Sequence, residues 1–265
     1  MTRGHIRGEN LEKENESRYK HGILTRHKDG SVEVFIPSRP IDRHAPPPDT
    51  QPVDKDGWSD EQILEREKEN IDRSSRRARK SIRWHVRNNK HTHFVNLTYD
   101  PKKYDTNEKR FNRMKTVLKE LKRKYGNFHY VLVPEFHTGG ESHGLIHWHG
   151  VMDLSKFDLR RATNYHTGKP LHDTAGRELF NMNYWDSTGL SSVSEIGDTK
   201  KVANYITKYI TKDIEKVVGK GQKKYWSSRG EKPAEKYLTE EEAFSYLENH
   251  KISFENERGK YIDVD

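Results

Sequence analysis

The chain has 265 residues, enough for one sizeable domain plus an extension, and carries 49 Lys and Arg against 41 Asp and Glu, a formal charge of +8. That balance favours a polyanionic partner. The absence of Cys excludes disulfides and thiolate zinc ribbons and fits a reducing cytosol; with no apolar run of membrane-spanning length and no apolar core in the opening MTRGHIRGEN, neither a membrane span nor a secretory signal is predicted.

Residues 1–58 are polar and weakly patterned, with Pro46, Pro47 and Pro48 in a row. They read as a flexible extension holding at most one small hairpin around residues 27–36, either a solvated tail or a segment that binds DNA or a partner. Residues 59–265 read as the folded domain. A helix is predicted over 59–88, with Leu64, Ile71, Ala78, Ile82 and Val86 on its apolar face. Arg76, Arg77, Lys80 and Arg83 stand among the seven cations crowding the rest, a surface suited to following phosphates, against the plainer reading of a solvated basic face. A β-branched and aromatic strand follows at 93–99 and stops at Asp100-Pro101. His91 and His93 at its entrance lack an acidic partner, so they read as surface or backbone-contacting residues. Asp105 and Glu108 suggest a capping box for a helix reaching Tyr125, stopped by Gly126. Its Phe111, Met114, Leu118 and Leu121 mark it as core packing with a Lys-rich outer face and no chemistry.

Residues 131–153, VLVPEFHTGGESHGLIHWHGVMD, read as two apolar strands joined by a Gly-rich turn. Side chains alternate along a strand, so His147 and His149 share one face while Ile146 and Trp148 share the other. A turn about Glu141 sets Glu135 across from His147. Two imidazoles and a carboxylate then form a cup for a divalent ion, with positions left open.

Residues 154–181 read as a polar connection beginning with a short helix at 156–161, and 182–185 and 190–196 as paired strands. A helix is predicted over 198–218, with Asp198 as N-cap and Val202, Ile206, Ile210, Ile214 and Val217 as its apolar stripe. Tyr205 and Tyr209 share one edge, and Lys208 and Lys212 follow them by three on the same side. In 219–229, Lys223, Lys224 and Trp226 suit a base stacked over a charged backbone; a linker with its aromatics tucked into the core is the second reading. A helix at 239–248 and a closing hairpin at 251–264 complete the chain.

A metal ion in the cup can take charge from a phosphodiester, and phenoxide attack would give a phosphotyrosine that stores the energy of the broken bond. The lysines would neutralise developing charge or position the tyrosines. In order, FVNLTY at 94–99, His147-Trp148-His149 with Glu135, and YITKYITKD at 205–213 resemble the motifs of the HUH superfamily of rolling-circle replication initiators. The tyrosine segment is similar to the two-tyrosine motif of the gene A proteins of small isometric phages and to the KYxxKD motif of small Gram-positive plasmid initiators, where Tyr209 matches the nucleophile.

The resemblance spans roughly residues 74–229 together with the closing hairpin. It implies an α+β fold, a central five-stranded antiparallel sheet with helices on one face and the metal site on the other. It further implies a Mg²⁺- or Mn²⁺-dependent endonuclease domain over 59–265 that nicks single-stranded or hairpin origin DNA and holds the 5′ phosphate on tyrosine. A free 3′ hydroxyl is left for synthesis and the ends are rejoined by strand transfer. No P-loop is present, so a helicase and replication machinery would come from a bacterial host, in its cytoplasm. A two-tyrosine transposase, disfavoured by the absence of Cys, and a non-catalytic DNA-binding protein with a structural ion are the competing readings.

Overall fold

The computed structural model describes residues 18–45, 57–210 and 223–264. Two compact units divide between Asp54 and Lys55 and between Lys232 and Pro233, so the middle of the chain is one unit and both flanks contribute to the other.

The middle unit opens with α1 (Asp60–Asn88). Ser59 accepts the Gln62 N–H while the Gln62 side chain returns to the Ser59 N–H, a complete capping box. β1 (His93–Leu97) follows, then α2 (Asn107–Tyr125). Thr106, rather than Asp105, caps α2 by accepting the Lys109 N–H, and Asp105 instead pairs with the Lys109 ammonium at 2.7 Å. Gly126 ends the helix at φ +81°, its N–H closing on the Lys122 carbonyl.

β2 (Tyr130–Phe136), β3 (Ile146–Met152), β4 (Leu159–Arg161), β5 (Phe180–Met182), β6 (Ser191–Glu195) and β7 (Trp226–Ser227) complete an antiparallel sheet in the order β7-β2-β3-β1-β6-β5-β4. It therefore has seven strands where five were expected. The additions are short edge pieces: β4 occupies part of the stretch predicted as a helix at 156–161, and β7 lies in the stretch read as a linker.

The expected division into a helical face and a metal face does not hold. α2 packs Met114, Val117 and Leu121 against Leu132, Trp148 and Val193. α1 and α3 (Thr199–Ile206) cover the opposite face, bringing Ala78, Ile82, Ala203 and Ile206 onto Val131, Val133 and Val151. The reason is in β2: consecutive Val131, Leu132 and Val133 place apolar side chains on both faces, and each face needs a cover. His147 and His149 share the face of Val151, so the candidate metal ligands lie on the side of α1 and α3.

The second unit has its own core of Leu24, Val34, Ile36, Leu238, Ala243 and Ile262. Its five-stranded antiparallel sheet runs Ala234–Leu238, Gly22–Arg26, Val32–Pro37, Gly259–Val264, Phe254–Asn256. α4 (Glu240–Asn249) is capped by a Thr239–Glu242 box. A separate two-stranded pair joins Tyr19–Lys20 to Ile41–Asp42. Residues 18–45 are thus strand-forming rather than flexible: Gly22–Arg26 and Val32–Pro37 pair with each other as a hairpin, and each finds its second neighbour more than 190 residues away in 234–264. The hairpin expected to close the metal-bearing domain belongs to this sheet instead. Among the described residues, no helix is long and apolar enough to cross a membrane.

Candidate metal centre and tyrosine pair

The β2–β3 hairpin pairs Glu135 with His147 and Val133 with His149, the register that the alternation and the Gly-rich turn predict. One Glu135 oxygen lies 2.8 Å from His149 Nε2 and 3.3 Å from His147 Nε2, and the two Nε2 atoms are 2.7 Å apart. Among the described residues these three form the group whose ligand atoms, within 4.8 Å of one another, could hold a metal ion. Burial pushes His147 down to about 3, helped by His149, His137 and Arg110, and pushes His149 down to about 4, helped by His137. Both imidazoles are therefore neutral at physiological pH, with lone pairs available to a cation. Burial also raises the Glu135 carboxyl. Three convergent lone-pair donors, two of them neutral nitrogens, fit a divalent transition ion, and one carboxylate leaves room for a hard ion such as Mg²⁺.

The strand that carries the histidines is fixed from its other face. Trp148, between them, donates its indole N–H to the Tyr99 hydroxyl at 2.9 Å, which in turn donates to the Arg110 carbonyl at 2.8 Å. The fully buried Arg110 guanidinium holds the Ile146 carbonyl at 2.7 Å and the Tyr104 carbonyl at 2.8 Å. Asn107, in the first turn of α2, accepts the Ile146 N–H at 2.8 Å and donates to the Gly144 carbonyl. The entry to the His-Trp-His segment is thereby tied to α2. Beyond His149, Gly150 is required by space, since any Cβ there would fall on the Val131 carbonyl oxygen.

The tyrosines reach the same cup from α3. Asp198 caps that helix by accepting the Lys201 N–H at 2.8 Å. The α-helix ends at Ile206, where a 3₁₀ turn, Thr207–Tyr209, takes over; the rest of the helix predicted to 218 lies outside the described residues. The tighter turn keeps the two phenols adjacent: Tyr209 donates to the Tyr205 hydroxyl at 2.8 Å, and the rings meet edge to face at 5.5 Å. Tyr209 is half-buried and stacks on His149, centroids 4.0 Å apart and planes 7° from parallel. Tyr205, 44% exposed, rests edge-on against Phe94 of β1. Burial first, then the bond to Tyr205 and the Glu135 charge, hold the Tyr209 phenol above the usual tyrosine range. Arg79 of α1 donates to the Ile210 carbonyl and anchors the end of this segment.

Of the remaining predicted residues, Lys208 is exposed, with its ammonium 5.4 Å from the Tyr205 ring. Lys212 lies outside the described residues. Arg76, Arg77 and Lys80 are exposed on α1, Lys80 lying over Trp84, and Arg83 is half-buried. Lys223 is exposed, but Lys224 is buried, its ammonium bonded to Ser75 Oγ at 2.8 Å and close to the Ile71 carbonyl. Lys224 therefore ties the bend before β7 to α1 and is not a phosphate contact. Trp226 packs on Trp148 and Phe111, with only part of its surface uncovered. Of the two readings of this stretch, the aromatic tucked against the core is the one found, with part of the ring left uncovered.

His91 and His93 bond to the Asn89 carbonyl and the Thr92 hydroxyl, away from the cup. Two neighbours of the cup were not anticipated. His137 is half-buried and lies over the His147 ring at 4.1 Å. Its place two residues past Glu135, just beyond the end of β2, carried that signal. Asn96, opposite His149 on β1, has a buried Oδ1 without a hydrogen-bond partner.

No curated protein and no solved structure matches the chain. A family model does match: residues 92–214, which contain the Glu135–His147–His149 cup and both tyrosines, match the model of the replication-associated protein ORF2 family.

Proposed function

We propose that the protein is a replication initiator endonuclease of the two-tyrosine HUH type, acting on a phage or plasmid origin. It nicks single-stranded or hairpin DNA, keeps the 5′ phosphate on tyrosine, and rejoins ends by strand transfer. The observation that carries this reading is the stacking of Tyr209 on His149 within a cup of three candidate ligands. A structural ion has no need of a half-buried phenol against one of its ligands. The family of replication-associated proteins matched over the same residues supports the DNA substrate.

Glu135, His147 and His149 would hold Mg²⁺ or Mn²⁺, which when bound withdraws charge from the scissile phosphate. Tyr209 attacks phosphorus: its oxygen gains the bond to phosphorus, the bond from phosphorus to the 3′ oxygen breaks, and that oxygen leaves and collects a proton. The phenolic proton of Tyr209 passes along its hydrogen bond to Tyr205, whose exposure gives it a route to water. Attack by a 3′ hydroxyl on the phosphotyrosine reverses the step. Lys208, and Lys212 beyond the described residues, would offset charge at the phosphate. Arg76, Arg77, Lys80, Arg83 and Lys223 would track the backbone. The work would take place in a bacterial cytoplasm, with a host helicase and polymerase, on a domain covering most of residues 59–265.

The test is adduct formation. Labelled single-stranded origin DNA with Mn²⁺ should give a denaturation-resistant protein–DNA band that chelator abolishes and Tyr209→Phe reduces by at least about 100-fold. An undiminished band in the Tyr209→Phe, Tyr205→Phe double variant would reject the assignment; DNA binding with no band in the wild type would favour the non-catalytic reading.

A further inference from the structure

α2 faces away from the candidate metal centre, and its outer surface carries a feature that core packing does not require. A groove of about 1260 Å³ runs between α2 and the edge of the sheet at β7 and the start of β2. Lys115, Lys119 and Lys122 lie along its α2 wall, and Lys223 and Arg229 on the wall around β7. Positions 115, 119 and 122 are spaced four and three apart, so the three ammonium groups form one stripe. Among the described residues, no Asp or Glu lines the groove and none of the five cations makes an ion pair. Half-buried aromatic side chains lie between them: Phe111, Phe128, Tyr130 and Trp226.

Ordinary solvated lysines on a helix stand near acids of the next turn or over polar ground. Here an uncompensated row of cations borders partly uncovered rings, the pairing of features that binds a single strand: phosphates along the cations, bases against π-faces. The bases of a duplex are already stacked on one another, whereas unpaired bases could turn onto these half-buried rings.

The groove also has a simple relation to the cup. Trp226 pairs with Leu132 on the α2 face of the sheet, while Glu135, three residues along β2, points to the opposite face. β7 is the edge strand and β2 its neighbour, so cup and groove lie back to back at one margin of the sheet. A strand leaving the cup can reach the groove by rounding that margin.

We infer that the groove between α2 and β7 is a second binding site for single-stranded nucleic acid, taking the segment that flanks the strand held at the metal centre. The inference rests on the proposed activity for the identity of the strand, but it is tested by binding alone. The probe is a labelled oligothymidine of about 20 nucleotides, long enough to round the sheet edge, titrated in chelator so that no cleavage intervenes. The Lys115→Ala, Lys119→Ala, Lys122→Ala variant, with helix propensity preserved, should bind at least about tenfold more weakly. Its log–log salt slope should fall by about 2, as expected for three lost phosphate contacts on a single strand. A control removing equal charge at Lys102, Lys156 and Lys169 should change affinity less than about threefold. Thermal unfolding checks that all variants are folded, and Lys119→Glu alone serves if the triple variant is not. Affinity and slope equal to wild type, an equal loss in the control, or an equal loss for duplex DNA and heparin would each overturn the inference. Loss of oligothymidine binding in a protein that never forms the tyrosine adduct would uphold the groove and reject the nuclease reading.

Discussion

The ring of Tyr209 lies flat on the ring of His149, 4.0 Å from centroid to centroid. One histidine therefore has two contacts of consequence, a ligand nitrogen toward Glu135 and His147 and a π-face toward the phenol. His147 has no such contact with either tyrosine; its face is covered by His137.

That asymmetry separates two substitutions that would otherwise look alike. His147→Ala and His149→Ala should each weaken Mn²⁺ binding by about 10- to 100-fold, as loss of a ligand or of its support does. At saturating Mn²⁺ the His147→Ala protein should recover part of its adduct formation. His149→Ala should not, because Tyr209 has lost its platform. Adduct yield against Mn²⁺ concentration decides it, and coincident curves for the two variants would count against a positioning role for the stack.

Tyr205 should act mainly through Tyr209. Its hydroxyl accepts the Tyr209 proton's hydrogen bond and helps keep that phenol protonated. Tyr205→Phe removes both the bond and the route for the proton. The rate of adduct formation at neutral pH should fall about tenfold, and its rising alkaline limb should move to lower pH because the Tyr209 phenol becomes easier to ionise. A fall in rate with an unmoved pH profile would assign Tyr205 a different role.

The hairpin itself should be intolerant of small changes far from any ligand atom. Gly150→Ala drives a methyl group into the Val131 carbonyl and should cost about 3 kcal/mol, with Mn²⁺ affinity falling as β2 and β3 separate. Arg110→Met leaves the Ile146 and Tyr104 carbonyls without their buried donor and should cost a similar amount. Urea unfolding in chelator measures both; a change below about 0.5 kcal/mol in either variant would be inconsistent with the packing described.

A separate group of histidines predicts the acid response. His85, His91 and His129 cluster with ring centroids 5.3 to 6.2 Å apart, near Ser228. Burial, reinforced by His85, pushes His91 down to about 3. An unfolded histidine takes up a proton near pH ~6.5 and the folded one refuses it. The stabilisation is therefore complete above pH ~6.5 and is lost as pH falls toward 3. His91→Gln should flatten this dependence by up to about 1.4 kcal/mol per pH unit between about pH 6 and 4. Unfolding free energies across that range, with the same slope in variant and wild type, would remove His91 from the account.

The parts of the site that could be read in the sequence are those set by local periodicity. Glu135, His147 and His149 follow from a two-residue period and a Gly-rich turn, and Tyr205 with Tyr209 from near-helical spacing that survives the change to a 3₁₀ turn. What could not be read depends on contacts distant in sequence. The run Val131, Leu132, Val133 signalled a sheet covered on both faces, but not that α1 and α3 would share the face of the histidines. Lys224 resembles its exposed neighbour Lys223, and only the approach of Ser75, 149 residues earlier, distinguishes them. Residues 22–37 do form a local hairpin, but the strands that flank it on both sides come from 234–264, and without them in view the segment passed for a tail with one small hairpin.

Val32 pairs with Val264 at one end of a ladder that reaches Pro37 and Gly259 at the other. During synthesis, the hairpin of Gly22–Arg26 and Val32–Pro37 can form at once, but more than two hundred further residues must emerge before Gly259–Val264 can pair with its second strand, while the strands within Lys55–Lys232 pair with one another. Ribosome-bound chains whose residues up to 232 have left the exit tunnel should thus already chelate manganese, with the five-stranded sheet of the flanking unit still to be assembled.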